Sequence, residues 1–154
     1  MKLGEALADR ADAVRRVEQL RTRIVANARY QEGETPAEDA GQLLAELDEV
    51  LARLETLIRR INRSNSSFPV PGIGTLTDAL ARRDVLRLRH AAVSAAADAA
   101  AGGRGPARQL RSELRMLAAL PVAQLRQRAD GLARDLRELD VAIQRANWEA
   151  DLLD

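Results

Sequence analysis

The sequence predicts a mainly α-helical protein, an antiparallel bundle of four long helices. Two segments carry apolar residues at alternating intervals of three and four, the repeat of a helix that buries one stripe against other helices. Proline and glycine residues separate four segments of similar length, which favours an antiparallel bundle over a globin-like arrangement. The two repeats are Ala40, Leu44, Leu47, Leu51, Leu54, Ile58 and Ile61, and then Val122, Leu125, Ala129, Leu132, Leu136, Leu139, Ile143, Ala146, Ala150 and Leu153.

The first two helices are predicted over residues 3–30 and 36–63. Thr35 can cap the second helix, Pro36 suits its first position, and Glu38 can complete a capping box. The first helix is net basic and the first part of the second is acidic. We therefore expect these two helices to be antiparallel neighbours whose charged faces meet.

The third helix is predicted over residues 75–101, after a loop that contains two prolines and two glycines. Thr75 and Asp78 form a second capping box at its start, and its apolar stripe includes Leu76, Leu80 and Leu88. Residues 102–120 are predicted to be flexible or extended. Their alternation of apolar and charged residues indicates a short strand or hairpin, whereas their residue types favour a helix.

The fourth helix is predicted over residues 121–152, and we expect residues 1–154 to form a single helical domain. Aromatic residues make up only 2% of the chain, so its core must consist of leucine, valine, isoleucine and alanine. No cysteine is present, which excludes disulfides, thiolate metal sites and cysteine nucleophiles.

The absence of cysteine and of a recognisable export signal fits a cytoplasmic protein. The chain has 24 basic and 23 acidic residues, a balance that gives no reason to expect a nucleic-acid partner. No signal peptide is recognisable, and no segment reaches the roughly 20 apolar residues that a membrane span needs.

Polar residues where the second and third helices adjoin are the candidates for an anion site. Arginines and asparagines end the second helix, and a dense polar run starts the third, where backbone donors favour a phosphate or a carboxylate. The alternative is a solvated surface of ion pairs, with arginines that satisfy the carbonyls of a helix end. The candidate residues are Arg60, Asn62, Arg63, Asn65, Thr77, Asp78, Arg82 and Arg83.

No catalytic or metal motif is recognisable in the chain. His90 is the only histidine, whereas a ferritin-like di-metal centre needs two Glu-x-x-His pairs. The serines lack the G-x-S-x-G context of a nucleophile elbow. We expect no metal and no cofactor, and we favour a role without catalysis.

A second apolar row beside the predicted seam of the second helix indicates a homo-oligomer. Leu43, Val50 and Leu57 form this row, which is more apolar surface than one bundle core absorbs. Asn147 and Trp148 are further interface candidates, because tryptophan is enriched at protein contacts. The alternative for Trp148 is a packing anchor at one end of the bundle.

Several stretches of the chain resemble the septicolysin-like family of small bacterial helical proteins, which has no established function. They are Gln19–Arg21, Asn27–Ala28, Gln31–Gly33 with Pro36, Glu38–Asp39, Ile61–Asn65, Leu76–Asp84, Arg137–Asp140 and Ile143–Trp148. The resemblance implies a strand-like excursion before the last helix, with residues 111–115 matching, and its name implies a membrane-active, pore-forming toxin.

Three functional hypotheses follow. The first is a self-assembling helical bundle with a structural or interaction role and no catalytic activity. The second is the membrane-active toxin that the family name implies, although the narrow apolar stripe of the fourth helix is typical of a bundle core. The third is a small-anion-binding protein or enzyme that uses the polar residues listed above.

Overall fold

The computed structural model describes residues 1–103 and 114–154. The elements in chain order are α1 Leu3–Asn27, α2 Ala40–Ser67, β1 Pro69–Val70, β2 Gly74–Thr75, α3 Leu76–Ala100 and α4 Val122–Glu149. The predicted mainly α-helical fold with four long helices is confirmed. The chain forms two compact units, one of Met1–Pro69 with Arg145–Asp154 and the other of Val70–Gln144. The single domain therefore stays a prediction.

In the first unit, α1 and α2 pack against each other as antiparallel helices. Arg16 of α1 pairs with Glu46 of α2, and Arg23, further along α1, pairs with Glu38 just before α2 begins. Leu20 is fully buried between the charged edges. The predicted meeting of the basic and acidic faces is thus confirmed.

The predicted start of α2 is wrong by one turn. Asp39 is the N-cap, and its carboxylate accepts hydrogen bonds from the backbone N–H groups of Gly41 and Gln42 at 2.8 and 3.1 Å. Glu38 closes no capping box, because Arg23 Nε donates to its Oε2 at 2.9 Å. That charged hydrogen bond lowers the pKa of Glu38. A tertiary ion pair therefore displaces the local motif.

The apolar seam of α2 is rotated from its predicted position. Leu44 and Leu51 are 49% and 41% exposed, whereas Leu43 is buried. Val50 and Leu57 are half-buried beside it. Because α2 carries two apolar residues side by side at each of these places, its repeat fits two faces equally well. The face that packs against α1 keeps Leu47, Leu54 and Ile61 of the predicted repeat. Only the alternate members are displaced by one residue.

Both ends of the chain lie side by side in the first unit. The Leu3 N–H donates to the Ala150 carbonyl at 2.9 Å, and the Leu152 N–H donates to the Met1 carbonyl at 3.0 Å. Lys2 Nζ lies 2.8 Å from a carboxylate oxygen of Asp151, and this pairing lowers the pKa of Asp151. Lys2 Nζ also donates to the Glu149 carbonyl at 3.1 Å, which binds the last turn of α4 to the start of α1.

A tight hairpin leads into the second unit. The Ile73 N–H donates to the Val70 carbonyl at 3.1 Å across a turn in which Gly72 has a φ of 75°. The predicted loop over residues 64–74 is shorter than expected, because α2 continues to Ser67. The Ser64 hydroxyl donates to the carbonyl of Arg60, one turn earlier, at 2.9 Å.

The predicted capping box at the start of α3 is confirmed. The Asp78 carboxylate accepts from the Thr75 N–H at 2.7 Å and from the Thr75 hydroxyl at 2.8 Å. The Asp78 N–H in turn donates to the Thr75 hydroxyl. These hydrogen bonds lower the pKa of Asp78, first through the backbone N–H and then through the hydroxyl.

Within the second unit, α3 and α4 are also antiparallel. Arg87 lies 3.7 Å from Asp140, and Arg126 lies 2.6 Å from Asp98. The α4 repeat is confirmed except at its end, where Leu153 is 44% exposed and Leu152 is buried instead. The buried residues of the α4 repeat are Ala129, Leu132, Leu139, Ile143, Ala146 and Ala150.

The apolar stripe predicted for α3 is partly wrong. Its buried residues are Leu76, Ala79, Leu86, Val93 and Ala97. Leu88, which we expected to be buried, is 72% exposed.

The predicted strand over residues 111–115 lies mostly outside the described residues. From Leu114 to Leu120 the chain forms neither helix nor strand. The hairpin of the described chain precedes α3 rather than α4.

Candidate functional site

The predicted anion-binding residues belong to both compact units. The first unit contains Arg60, Asn62, Arg63 and Asn65, and the second contains Thr77, Asp78, Arg82 and Arg83. A site that combines the two sets stays a prediction.

The part in the first unit is an arginine cluster on the last turns of α2, formed by Arg59, Arg60 and Arg63. Arg60 donates from Nε to the Leu153 carbonyl at 3.0 Å and from Nη2 to the Asp154 carboxylate at 2.7 Å. Arg63 donates from Nη1 to the backbone oxygen of Asp154 at 2.6 Å. The arginine cluster therefore already binds oxygen atoms of its own chain.

Ser64 holds the chain segment that delivers Asp154. Its side chain is almost completely buried. Besides donating to Arg60, its hydroxyl accepts the backbone N–H of Leu153 at 2.9 Å. The adjacent Leu152 is buried in the same unit. Residues 152–154 thus return to the end of α2 through a hydrogen bond and an apolar anchor.

Two adjoining grooves open beside the arginine cluster. The smaller has a volume of about 420 Å³ and is lined by Thr56, the three arginines and Asp154. The larger has a volume of about 680 Å³ and shares Thr56 and Arg60 with the smaller one. It combines apolar and charged side chains, namely Ala13, Val50, Leu57, Asp9, Asp12, Arg16 and Arg53.

The predicted anion-binding residues of the second unit lie on the first turns of α3, and one of them caps the helix. Asp78 caps the helix as described above, and Thr77 is exposed. Arg83 is half-buried and lies 3.3 Å from the neighbouring Asp84. Arg82 is exposed and makes no ion pair with another described residue.

The outward surface of α3 carries an apolar row that our sequence analysis missed. Leu88 is 72% exposed and Val85 is 53% exposed. Four exposed alanines continue their spacing of three and four. We call this row the outer face of α3: Ala81, Val85, Leu88, Ala92, Ala95 and Ala99. The spacing was visible in the sequence, but we assigned Leu88 to the buried stripe.

The two interface candidates at the end of α4 have different environments. Asn147 is buried, whereas Trp148 is 61% exposed. The indole ring of Trp148 lies over Gly4. A Cβ atom added to Gly4 would approach both this ring and the Asn147 carbonyl to 3.3 Å. Trp148 therefore packs one side of its indole on α1 and leaves the other accessible.

Residues 1–103 and 114–154 contain neither a metal-binding cluster nor a helix that could span a membrane. No three His, Asp or Glu side chains are grouped there so as to hold a metal ion. No helix in the same part of the chain is long and apolar enough to cross a membrane. His90 is half-buried on α3.

Comparison with known proteins places the chain in a family. The family of unknown function DUF6847 matches residues 10–152, and the chain belongs to it. The crystal structure of a functionally unknown conserved protein from Corynebacterium diphtheriae is similar, with 40% sequence identity and a TM-score of 0.90 over 99% of each chain. No curated protein matches the chain.

This family assignment overturns the resemblance to septicolysin-like proteins. DUF6847 covers most of the chain, and no septicolysin-like family is indicated. The stretches that carried the resemblance include Leu76–Asp84, which follows the cap Thr75, contains the capping-box residue Asp78 and forms the first turns of α3. Such a pattern recurs in unrelated helical proteins because it satisfies the same free N–H groups. The toxin hypothesis rested on this resemblance and loses its support.

Proposed function

We propose that this member of DUF6847 is a self-assembling helical protein without catalytic activity, and that its copies pack through the outer face of α3. The exposure of Leu88 and Val85 is the observation that carries the proposal. Large apolar side chains on one exposed row mark an interaction surface when they are contiguous. The occupant that we infer is the same row of a second copy.

The spacing of the outer face supports pairing with another helix. Its members alternate at intervals of three and four, as the a and d positions of a coiled coil do. In that pattern Val85 takes an a position and Leu88 the next d position. The alanines toward the end of α3 would let the two backbones approach closely.

The charges beside the outer face support a parallel pair. Asp84 precedes Val85 and takes a g position, and Arg89 follows Leu88 and takes an e position. In a parallel pair a g residue meets the e residue of the next heptad on its partner, which sets Asp84 against Arg89 of the second copy. Twofold symmetry repeats this contact. An antiparallel pair would instead oppose like charges.

The native mass in solution tests this proposal, measured by light scattering over a tenfold range of concentration. We expect the wild-type protein to exceed its monomer mass of 16.9 kDa and Leu88→Glu to reduce it to that mass. Val141→Glu is the matched control, because Val141 is an exposed valine on α4 of the same unit. Wild-type protein that is monomeric throughout, or a control that dissociates equally, would refute the proposal.

A charge exchange tests the parallel orientation. Asp84→Arg should weaken the assembly by placing arginines together, and the double variant Asp84→Arg with Arg89→Asp should restore it. A double variant that stays dissociated, beside an associated wild type, would reject the parallel arrangement.

We further infer that the protein is cytoplasmic. Support comes from the complete absence of cysteine, because small secreted domains commonly depend on disulfides. Fractionation of cells that express the protein at its native level tests this inference. Recovery from the medium or the membrane fraction would contradict it.

A further inference from the structure

We propose that the arginine cluster of α2 binds the phosphate group of a small organic compound, and that Asp154 occupies this site as an internal competitor. All the residues involved belong to the first unit, so the proposal does not depend on assembly through α3. The contacts of Asp154 show what chemistry the arginines accept.

The oxygens of Asp154 mark the position of an anion. Arg60 and Arg63 converge on this residue from one helical turn, and their contacts of 2.7 and 2.6 Å have the length of charge-assisted hydrogen bonds. The Asp154 side chain is nevertheless fully exposed to solvent. An exposed ion pair contributes little free energy, so a free anion can replace it.

A phosphate group matches the donors better than the resident carboxylate does. It carries between one and a half and two negative charges near neutral pH and presents three acceptor oxygens. Arg59 adds donors that Asp154 does not use, because its ion-pair contact is Glu55 at 3.8 Å on the same helix. Guanidinium groups bind phosphate in the planar, bidentate geometry that lysine lacks.

The larger groove accounts for the organic part of the ligand. It adjoins the arginine cluster through Thr56 and Arg60, and its volume of about 680 Å³ lies in the range of small-molecule sites. Val50 and Leu57 supply apolar contacts along one wall. A phosphate held by the arginines would therefore direct an apolar group along α2 into this groove.

Calorimetric titration with phenyl phosphate tests the proposal on the whole protein. We expect phenyl phosphate to bind more tightly than inorganic phosphate, because only the former fills the apolar groove. It should also bind more tightly than benzoate, which has the same ring but a single charge. Binding of none of the three would overturn the proposal, and tighter binding of benzoate would overturn the assignment to phosphate.

Variants of the competitor and of the arginines locate the site. Asp154→Asn should tighten phenyl phosphate binding about two- to fivefold, the factor expected from removing an exposed ion pair. Arg59→Gln and Arg63→Gln should each weaken it, whereas the control Arg21→Gln on α1 should not. Unchanged binding in both cluster variants, with normal circular dichroism, would place the ligand elsewhere.

Assembly through the outer face of α3 and phosphate binding by the arginine cluster are tested independently of each other. Leu88→Glu should dissociate the assembly and leave phenyl phosphate binding intact, because the arginine cluster lies on α2. Loss of ligand binding in this variant would contradict a site built by the first unit alone.

Discussion

Replacement of Ser64 by alanine should release the end of the chain from α2. The hydroxyl is the acceptor for the Leu153 N–H at 2.9 Å and lies in an almost fully buried side chain. An amide that loses its partner without gaining water costs about 1–3 kcal/mol. The higher helix propensity of alanine offsets about half a kcal/mol. We therefore expect a net loss of about 0.5–2.5 kcal/mol.

Hydrogen exchange of the Leu153 amide reports this loss directly. A change of 1.4 kcal/mol corresponds to tenfold faster exchange, so Ser64→Ala should accelerate it by roughly two- to seventyfold. Ser66→Ala is the matched control, since the Ser66 hydroxyl donates to the Arg63 carbonyl at 2.9 Å and is exposed. Its effect should stay within about 0.5 kcal/mol. Equal acceleration in the two variants would refute the role assigned to Ser64.

Five further substitutions, two of them comparison variants, test the packing, an ion pair and a turn. Leu43→Ala should reduce the free energy of unfolding in urea by about 2–4 kcal/mol, whereas Leu44→Ala should cost less than about 1 kcal/mol; equal losses would contradict the rotated seam. Glu38→Gln should make the decline of the melting temperature below pH 4.5 shallower. The lowered pKa of Glu38 stabilises the fold at pH values above the pKa of an unfolded glutamate, and this stability is lost as the pH falls. An unchanged slope would show that the ion pair contributes nothing. Gly74→Ala should destabilise the protein by about 1–3 kcal/mol, since the φ of Gly74 is 133° and a Cβ would meet the capping carboxylate of Asp78 at 2.6 Å. Gly131→Ala, in open space on α4, should stabilise it by about 0.5–1 kcal/mol. Calorimetry should show changes of opposite sign in the free energy of unfolding, and equal signs would contradict this assignment.

The accuracy of the sequence predictions depended on how unambiguous each apolar repeat was. In α4, Leu125 and Leu139 stand between polar residues, so a single face fits and the buried residues follow the prediction. In α2, apolar pairs such as Leu43 and Leu44 fit two faces, and only contact with α1 decides between them. The local motif at Thr75 succeeded because a capping box needs no distant partner.

The candidate site depended on contacts that no local pattern records. Arg60 and Arg63 were recognised from their place at a helix end, but their partner Asp154 lies far away in the sequence. Ser64 was assigned to a loop, although it is the residue that holds the returning segment. Arginine clusters can therefore be recognised in a sequence, whereas the group that occupies them depends on the tertiary fold.

The pairing of residues 1–3 with residues 150–152 governs the order in which the two units can fold during synthesis. The first unit combines Met1–Pro69 with Arg145–Asp154, and the whole second unit is inserted between these segments. The α1–α2 hairpin therefore leaves the ribosome early, but Leu3 and Ser64 receive their partners only after Ala150 and Leu153 have been synthesised. The inserted unit, by contrast, is contiguous and can pack α3 against α4 first. Its folding shortens the gap that the ends must close, which lowers the entropy cost of joining them.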